Sequence, residues 1–126
     1  MAIERIETGI APSSSPVSDA IKAGNQVWLV AIAEDPQSGA IVAGGIEAQT
    51  RRTLQNLEIA VKAAGGTMAD IVQVQVFLID SADAKGMNAV YAEFFAPPYP
   101  VRATVVVKEL LAAGLKVEML ATAVVG

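Results

Sequence analysis

The chain has 126 residues and a formal net charge of −4, and it contains neither cysteine nor histidine. These absences exclude disulfides, cysteine nucleophiles, Ser-His-Asp triads and Cys/His zinc sites, so acid–base chemistry must rest on Asp, Glu, Lys, Tyr, backbone groups or bound water. The acidic balance, with an isoelectric point near 4.7, disfavours binding to nucleic acid.

Hydrophobic residues make up 53% of the chain and its mean hydropathy is +0.47, yet no stretch approaches the roughly 20 apolar residues of a membrane span. We therefore expect one domain over residues 1–126 that exposes more apolar surface than it can bury alone, and so forms an oligomer. The N-terminal residues 1–7 are charged and alternating, unlike a signal peptide, which leaves the cytoplasm as the expected compartment.

The first third of the chain predicts short strands separated by loops. Residues 3–8 alternate enough to form a first strand, and residues 11–18 form a loop of small residues that either links elements or covers a ligand. After the turn signal Gly24-Asn25, residues 26–33 carry no charge and predict a strand buried on both faces. Residues 40–43 are a candidate short return strand.

A first helix is predicted between the glycine pairs at 44–45 and 65–66. Glu47 and Arg51 are spaced for an i,i+4 ion pair on its solvent side. The residues that share its inward face at helical spacing are Ile46, Gln49, Thr50, Thr53, Leu54, Leu57, Ala60, Val61 and Ala64.

The second half of the chain predicts three strands and another helix. A strand over residues 71–79 places Val72, Val74, Val76 and Leu78 on one face and Ile71, Gln73, Gln75, Phe77 and Ile79 on the other. Asp80 and Ser81 can cap a helix over about residues 82–95. The inward positions of that helix include Met87, Val90, Tyr91 and Phe94.

The last two strands are predicted at residues 101–107 and 116–124. The order of elements predicts a two-layer α+β sandwich, with two helices on one face of a mixed, six-stranded sheet. Because the helices cover only one face, the Val and Ile side chains of the other face need a partner.

Arg102 is the one strongly charged residue between positions 94 and 107, at the junction of a proline-rich turn and a strand. Arg102 and Thr104 point to the same side of that strand. An arginine fork binds a carboxylate through two parallel hydrogen bonds, and a threonine hydroxyl can add a third. Spacing alone leaves open whether the carboxylate belongs to a small organic acid or to the protein. The protein candidates are Glu93, Glu109 and Glu118.

Short segments along nearly the whole chain carry a family resemblance. They are Gly24-Asn25, Leu54-Gln55-Asn56-Leu57, Ala64-Gly65, Asp70-Ile71-Val72, Val76-Phe77-Leu78-Ile79-Asp80, Asn88-Ala89-Val90-Tyr91, Phe94-Phe95 and Pro100-Val101-Arg102. Each segment is weak by itself. In this order and at this spacing, they identify the chain as a member of the Rid family of reactive intermediate deaminases, also called the YjgF family.

The resemblance implies a chorismate-mutase-like fold and a cytoplasmic homotrimer whose sheets form a central barrel, with a cleft between each pair of subunits. In deaminating members, the arginine at the position of Arg102 grips the carboxylate of a 2-imino or 2-enamino acid. Water then attacks the imine carbon, a carbinolamine forms, and ammonia leaves to give a 2-keto acid. The resemblance implies that no metal or organic cofactor is needed.

Several positions depart from the pattern of the deaminating members. Val17 stands where a loop tyrosine is usual, and Val30 and Ala31 replace a serine–glycine pair. Leu120 stands where a glutamate helps to hold the water, and Thr104 occupies a position that is often cysteine. The apolar replacements leave two functions open: an imine deaminase, or a paralogue that binds small carboxylates or serves a specialised pathway.

The candidate site follows from these positions. Its catalytic residues are Arg102 and Thr104, and its substrate-binding residues are Arg102, Val17, Val30, Ala31, Asn88, Tyr91 and Leu120. Glu118 lies two residues before Leu120 on the same strand face. We expect it to face solvent or form an ion pair rather than replace the missing glutamate. Trp28 either lines an apolar pocket or fills the core of the barrel.

Overall fold

The computed structural model describes residues 2–126; Met1, the first residue of the charged N-terminal segment, lies outside the described residues. Residues 2–126 form six strands and two α-helices. In chain order these are β1 (Ile3–Arg5), β2 (Ala20–Ala23), β3 (Gln26–Ile32), α1 (Ile46–Ala63), β4 (Ile71–Leu78), α2 (Ala84–Phe94), β5 (Val101–Val106) and β6 (Val117–Val124).

The strands form one sheet in the order β1-β2-β3-β6-β4-β5. All neighbours are antiparallel except β4 and β5, which are parallel and joined by the crossover helix α2. The C-terminal strand β6 therefore lies between β3 and β4, and both helices pack on one face. The predicted two-layer α+β sandwich with a mixed, six-stranded sheet is confirmed.

Alternation along the strands places the core between the helices and one sheet face. In β6, every second residue from Val117 to Ala123 is buried, while the residues between them face the other side. Helix α1 contributes four fully buried apolar side chains, Leu54, Leu57, Ala60 and Val61. The predicted inward face of α1 is thus largely confirmed, with Asn56 as a buried polar residue that the apolar pattern missed.

One predicted strand is not formed, and one strand of the sheet was not predicted. Residues 40–43 form only an isolated bridge between Ile41 and Glu34. The sixth strand is instead β2, which pairs with β3 through the two-residue turn Gly24-Asn25. Gly24 has a φ of 60°, which suits the first central position of a type II′ hairpin. β2 was missed because its Ala and Lys residues have weak intrinsic strand preference, and the hairpin pairing overrides that preference.

The face assignment in β4 is wrong at its first two residues. Ile71 pairs with Ala123 and Gln73 pairs with Thr122, so Val72 is an extra residue in the strand. This β-bulge shifts the alternation, so that Ile71 is buried and Val72 is 45% exposed. From Val74 onward the predicted alternation holds.

Arg51 does not form the predicted pair with Glu47. Its guanidinium instead binds Glu93 of α2 with two contacts, Nη1 to Oε1 at 2.7 Å and Nη2 to Oε2 at 3.0 Å. This fork geometry lowers the pKa of Glu93 and raises the pKa of Arg51. A bidentate partner across the helix interface is geometrically better than a residue one turn away on the same helix.

Gln49 of α1 is a buried polar residue that fixes the segment before β6. Its Nε2 donates to the carbonyl oxygens of Val42 at 3.2 Å and Gly114 at 2.8 Å. Its Oε1 accepts from the backbone N–H of Lys116 at 2.8 Å. All three bonds satisfy backbone groups that the sheet does not pair, so one side chain sets where β6 begins.

We predict that Gln49→Ala lowers the free energy of unfolding by on the order of 3 kcal/mol, because it leaves three backbone groups without their partner. Urea unfolding at one fixed protein concentration measures the loss. Gln55→Ala, on the same helix and without a side-chain hydrogen bond within residues 2–126, is the matched control and should cost much less. Equal losses in the two variants would contradict the role given to Gln49.

Candidate active site

The sheet face opposite the helices is open and largely apolar. Trp28 is 42% exposed there, and Leu120 is 45% exposed. A cross-strand row on this face runs from Val30 to Leu120, then to Gln75 and Ala103. The prediction that residues 26–33 are buried on both faces is therefore wrong for a single chain, since only the helix-side residues of β3 are buried.

Arg102 lies on the other face, at the edge of the sheet. It is opposite Val74 in the parallel β4–β5 pair, and Val74 is buried beneath the helices. The guanidinium carbon lies 4.6 Å from the centroid of the Tyr91 ring, a cation–π contact. Within residues 2–126, Arg102 has no carboxylate partner, so the alternative of an intrachain salt bridge is not realised.

Tyr91 provides the platform beneath Arg102. Its ring also packs on Phe95, with the ring centroids 4.5 Å apart. The residue is 6% exposed, and its hydroxyl has no hydrogen-bond partner within the described chain. Burial raises the pKa of Tyr91, and the positive charge of Arg102 opposes that shift. A buried hydroxyl without a hydrogen bond lowers stability. The Tyr91 hydroxyl is therefore open to a hydrogen bond from a group outside residues 2–126.

Thr104 and Asn88 lie near this platform. Thr104 is exposed and points to the same sheet face as Arg102, because it lies opposite Val76 in the β4–β5 register. Asn88 is exposed on α2, three residues before Tyr91. Residues at this spacing are neighbours on a helix surface. We call Arg102, Tyr91, Thr104 and Asn88 the arginine edge.

Three of the other four predicted binding residues line a cavity of about 540 Å³. Val17, Val30 and Ala31 all line it, together with Glu118. Leu120 is absent from the lining, although it pairs with Val30 on the same sheet face. The loop over residues 11–18 contributes Ser13, Ser15 and Val17, which favours a covering role for that loop over a linking one.

The cavity carries carboxyl groups that sequence reasoning did not assign to it. Asp19, Glu34, Glu109 and Glu118 line it, and within residues 2–126 no lysine or arginine does. Burial raises the pKa of Glu118. Burial and then the charge of Asp19 raise the pKa of Glu34. Glu118 has no ion-pair partner within residues 2–126, so an ion pair is not formed within one chain. It is partly exposed, and its solvent-facing role stays a prediction.

Strand pairing brings Glu118 to the cavity. Glu118 lies directly opposite Ile32 of β3, two residues beyond Val30 and on the same face. The only signal in the sequence was its spacing from Leu120, because the register between β3 and β6 joins segments about 90 residues apart. Glu34 was missed because it falls between the predicted strands at residues 26–33 and 40–43, in a segment to which no role was assigned.

A buried asparagine holds the wall of the cavity. Asn56 of α1 donates through Nδ2 to the carbonyl oxygens of Ile32 at 2.9 Å and Glu34 at 2.8 Å. Its Oδ1 accepts from Arg52 at 2.9 Å. These bonds satisfy the backbone where β3 ends, and they fix the turn that carries Glu34 against the cavity.

The arginine edge and the cavity cannot form one pocket within a single chain. Arg102 faces the helix side of the sheet, while Val30 and Leu120 face the open side. Strands β5 and β3 are also separated by β4 and β6. Residues 2–126 therefore hold two candidate half-sites, one with an arginine that has no carboxylate partner there and one with an apolar wall and carboxyl groups.

Comparisons with known proteins place the chain in a family. Residues 8–125 match the family described as Endoribonuclease L-PSP. A RutC family protein of Pyrococcus horikoshii is 44% identical over 96 residues, covering 75% of this chain and 76% of that protein. The human 2-iminobutanoate/2-iminopropanoate deaminase is 32% identical over 123 residues, covering 96% and 89%.

Relatives with organelle names bear on the expected compartment, and they include a mitochondrial protein of Schizosaccharomyces pombe, 37% identical over 90 residues. The chloroplastic Reactive Intermediate Deaminase A of Arabidopsis thaliana is 37% identical over 122 residues, covering 94% of this chain and 65% of that protein. The cytoplasmic location therefore stays a prediction. Within residues 2–126, no helix is both long and apolar enough to cross a membrane.

Solved structures agree with the fold. The crystal structure of E. coli TdcF with bound serine superposes with a TM-score of 0.89 and 35% identity, covering 98% of this chain and 99% of that one. RidA from Psychrobacter superposes with a TM-score of 0.90 and 31% identity, covering 97% and 99%. The sequence match over residues 8–125 and these relatives show that the chain belongs to the Endoribonuclease L-PSP family, which includes the Rid deaminases.

Proposed function

We propose that this protein hydrolyses 2-imino and 2-enamino acids to 2-keto acids and ammonia, at sites shared between subunits of a homotrimer. The observation that carries the proposal is the free guanidinium of Arg102, held on Tyr91 at the sheet edge with no carboxylate partner in residues 2–126. A fixed cation without an internal anion is suited to bind the carboxylate of a small ligand.

The arginine edge offers more than one contact to such a carboxylate. Arg102 can give two parallel hydrogen bonds, and the exposed hydroxyl of Thr104 on the same face can give a third. Tyr91 fixes the guanidinium from below, which limits its freedom before the substrate binds. In this proposal Arg102 and Thr104 are the catalytic residues of the arginine edge, and Asn88 and Tyr91 line the carboxylate site.

A second copy of the chain supplies the other half-site. The open sheet face exposes large apolar side chains on β3, β5 and β6, including Trp28, Val105 and Leu120. An apolar face of this kind favours association. If the arginine edge of one copy lies against the cavity of the next, Arg102 and Glu118 face one substrate from two chains. Three copies related by rotation close such a head-to-tail contact into a ring.

Glu118 is the group we assign to the water, in place of the glutamate that Leu120 replaces. It lines the cavity next to Val30 and has no competing cation within residues 2–126. Its pKa is raised by burial, which brings a carboxylate closer to the range in which general bases work.

The chemistry needs few groups. Water adds through its oxygen to the imine carbon of the protonated imine, and the ionised Glu118 accepts the proton that the water loses. Glu118 then returns this proton to the nitrogen of the neutral carbinolamine. The C–N bond breaks with its electron pair on nitrogen, the hydroxyl loses its proton to the leaving ammonia, and a 2-keto acid and ammonium remain. Positioning and charge neutralisation supply most of the acceleration.

The names of the relatives support this reaction class. The human relative is named a 2-iminobutanoate/2-iminopropanoate deaminase, and the structure of TdcF has serine bound. A paralogue that binds a carboxylate without turnover is the second candidate, because Val17, Val30 and Ala31 present no polar side chain to the cavity. The two candidates differ in whether substrate is consumed, so a turnover assay separates them.

We predict that Arg102→Ala lowers kcat/KM about 10- to 150-fold. Hydrogen bonds to a charged group are worth about 1.5–3 kcal/mol, and each 1.36 kcal/mol is about tenfold in rate. The assay generates an imino acid with an amino-acid oxidase and follows its loss by competition with semicarbazide. Arg102→Lys keeps the positive charge but not the two parallel hydrogen bonds of the guanidinium. Its kcat/KM should lie between those of Arg102→Ala and the unmodified protein.

Arg51→Ala is the matched control, because Arg51 binds Glu93 on the helix surface and not at the arginine edge. It should retain the rate of the unmodified protein. Elution volume on gel filtration checks that each variant keeps its assembly. Unchanged turnover in Arg102→Ala would remove Arg102 from the site, and binding of 2-keto acids without any turnover would favour the carboxylate-binding paralogue.

We predict that Glu118→Gln lowers kcat about 10²- to 10⁴-fold, the usual contribution of a general base, with a smaller effect on KM. The base must be ionised, so kcat/KM of the unmodified protein should fall as the pH drops through the raised pKa, above the ordinary carboxyl value of 4.5. Glu118→Gln should lack this acid limb. Glu4→Gln removes one negative charge from an exposed position on β1 and is the control. If the acid limb persists in Glu118→Gln, the limb belongs to another group.

A further inference from the structure

We propose that the cavity holds the side chain of the substrate and selects 2-imino acids with large, uncharged side chains, branched aliphatic or aromatic, over small or dicarboxylic ones. This inference rests on the proposed function, because it assigns the substrate class of the same site. It is carried by the size of the cavity, by the apolar residues in its wall and by the carboxyl groups at its margin.

The size of the cavity exceeds what a one- or two-carbon side chain needs. In the single chain, its volume is about 540 Å³, the size of pockets that hold drug-sized ligands, about 300–1,000 Å³, and its open side faces the second copy in the proposed assembly. A methyl or ethyl side chain would leave most of this space to water. A branched or aromatic group fills it, and each buried methylene is worth about 0.8 kcal/mol.

The apolar wall comes from three separate parts of the chain. Val17 lies on the loop before β2, Val30 on β3, and Leu111 and Leu115 on the segment before β6. Leu111 is 99% exposed in the single chain, although it lines the cavity. A leucine that is exposed to solvent at the margin of the cavity can pack on an apolar side chain of the substrate. Val17 and Val30 offer no hydrogen bond to a polar side chain.

The charges of the cavity exclude a second carboxylate. Asp19, Glu34, Glu109 and Glu118 all line it, and within residues 2–126 no cation does. The substrate's 2-carboxylate is neutralised by Arg102 in the proposed function, but a side-chain carboxylate would meet only like charges. Burial has already raised the pKa of Glu34 and Glu118, so a further buried negative charge is strongly disfavoured.

The test compares three imino acids, generated in situ by amino-acid oxidases from alanine, leucine and aspartate, with the spontaneous hydrolysis of each subtracted. The expected kcat/KM for the leucine product is at least about tenfold above that for the alanine product, from the added methylenes. The aspartate product should show no measurable acceleration. Val30→Ser should reduce the leucine-to-alanine ratio several-fold. Val72→Ser, the same change at an exposed bulge residue outside the cavity, should leave the ratio unchanged.

The outcomes distinguish a failure of the side-chain assignment from a failure of the proposed deaminase activity. Equal rates for leucine and alanine products, a preference for alanine, or turnover of the aspartate product would overturn the side-chain assignment while leaving the deaminase activity intact. The arginine-derived imino acid, generated in the same way, is the fourth substrate. A preference for it over the leucine-derived one would show that the carboxyl groups select a cation, and would also overturn the side-chain assignment. No acceleration for any imino acid would remove the proposed function and this inference together.

Discussion

The insertion of β6 between β3 and β4 is the constraint on which the rest of the structure depends. β6 pairs with β3 over seven positions and with β4 from Ile71 to Leu78. Without β6, the sheet would separate into two parts. The same strand supplies buried side chains to the helix layer and exposed side chains to the open face. Its register with β3 also places Glu118 opposite Ile32. The backbone hydrogen bonds between β3 and β6 therefore both hold the sheet together and position Glu118 at the cavity.

Two buried amides on α1 connect the helix layer to this arrangement. Gln49 binds the backbone just before β6, and Asn56 binds the backbone where β3 ends. Each side chain binds backbone groups at the end of a strand or in the segment before one, and burial makes those bonds costly to lose. Because Asn56 holds the carbonyl oxygen of Glu34, the packing of α1 determines where a cavity carboxyl group lies.

Because the candidate site is divided between two sheet faces, the proposed oligomer is needed to bring its two parts together. Among residues 2–126, Arg102 is a cation without an anionic partner, and the cavity is lined by carboxyl groups and by no lysine or arginine. In the proposed assembly, the substrate's carboxylate is the anion for Arg102, and its protonated imine is the positive charge that faces the carboxyl groups of the cavity. The exposed apolar face between the half-sites is suited to exclude water from the cleft.

The sequence by itself determined the helices, most strands and the candidate status of Arg102, because hydrophobic periodicity, glycine and proline boundaries and an isolated charge are local properties. It did not determine β2, the bulge at Val72 or the partner of Arg51, since strand pairing and contacts between helices override local preference. Only the tertiary structure decided that Glu118 rather than Leu120 lines the cavity, and that Arg102 and Val30 lie on opposite faces. The physical reason is register, because the pairing of segments far apart in the chain sets which side chains meet.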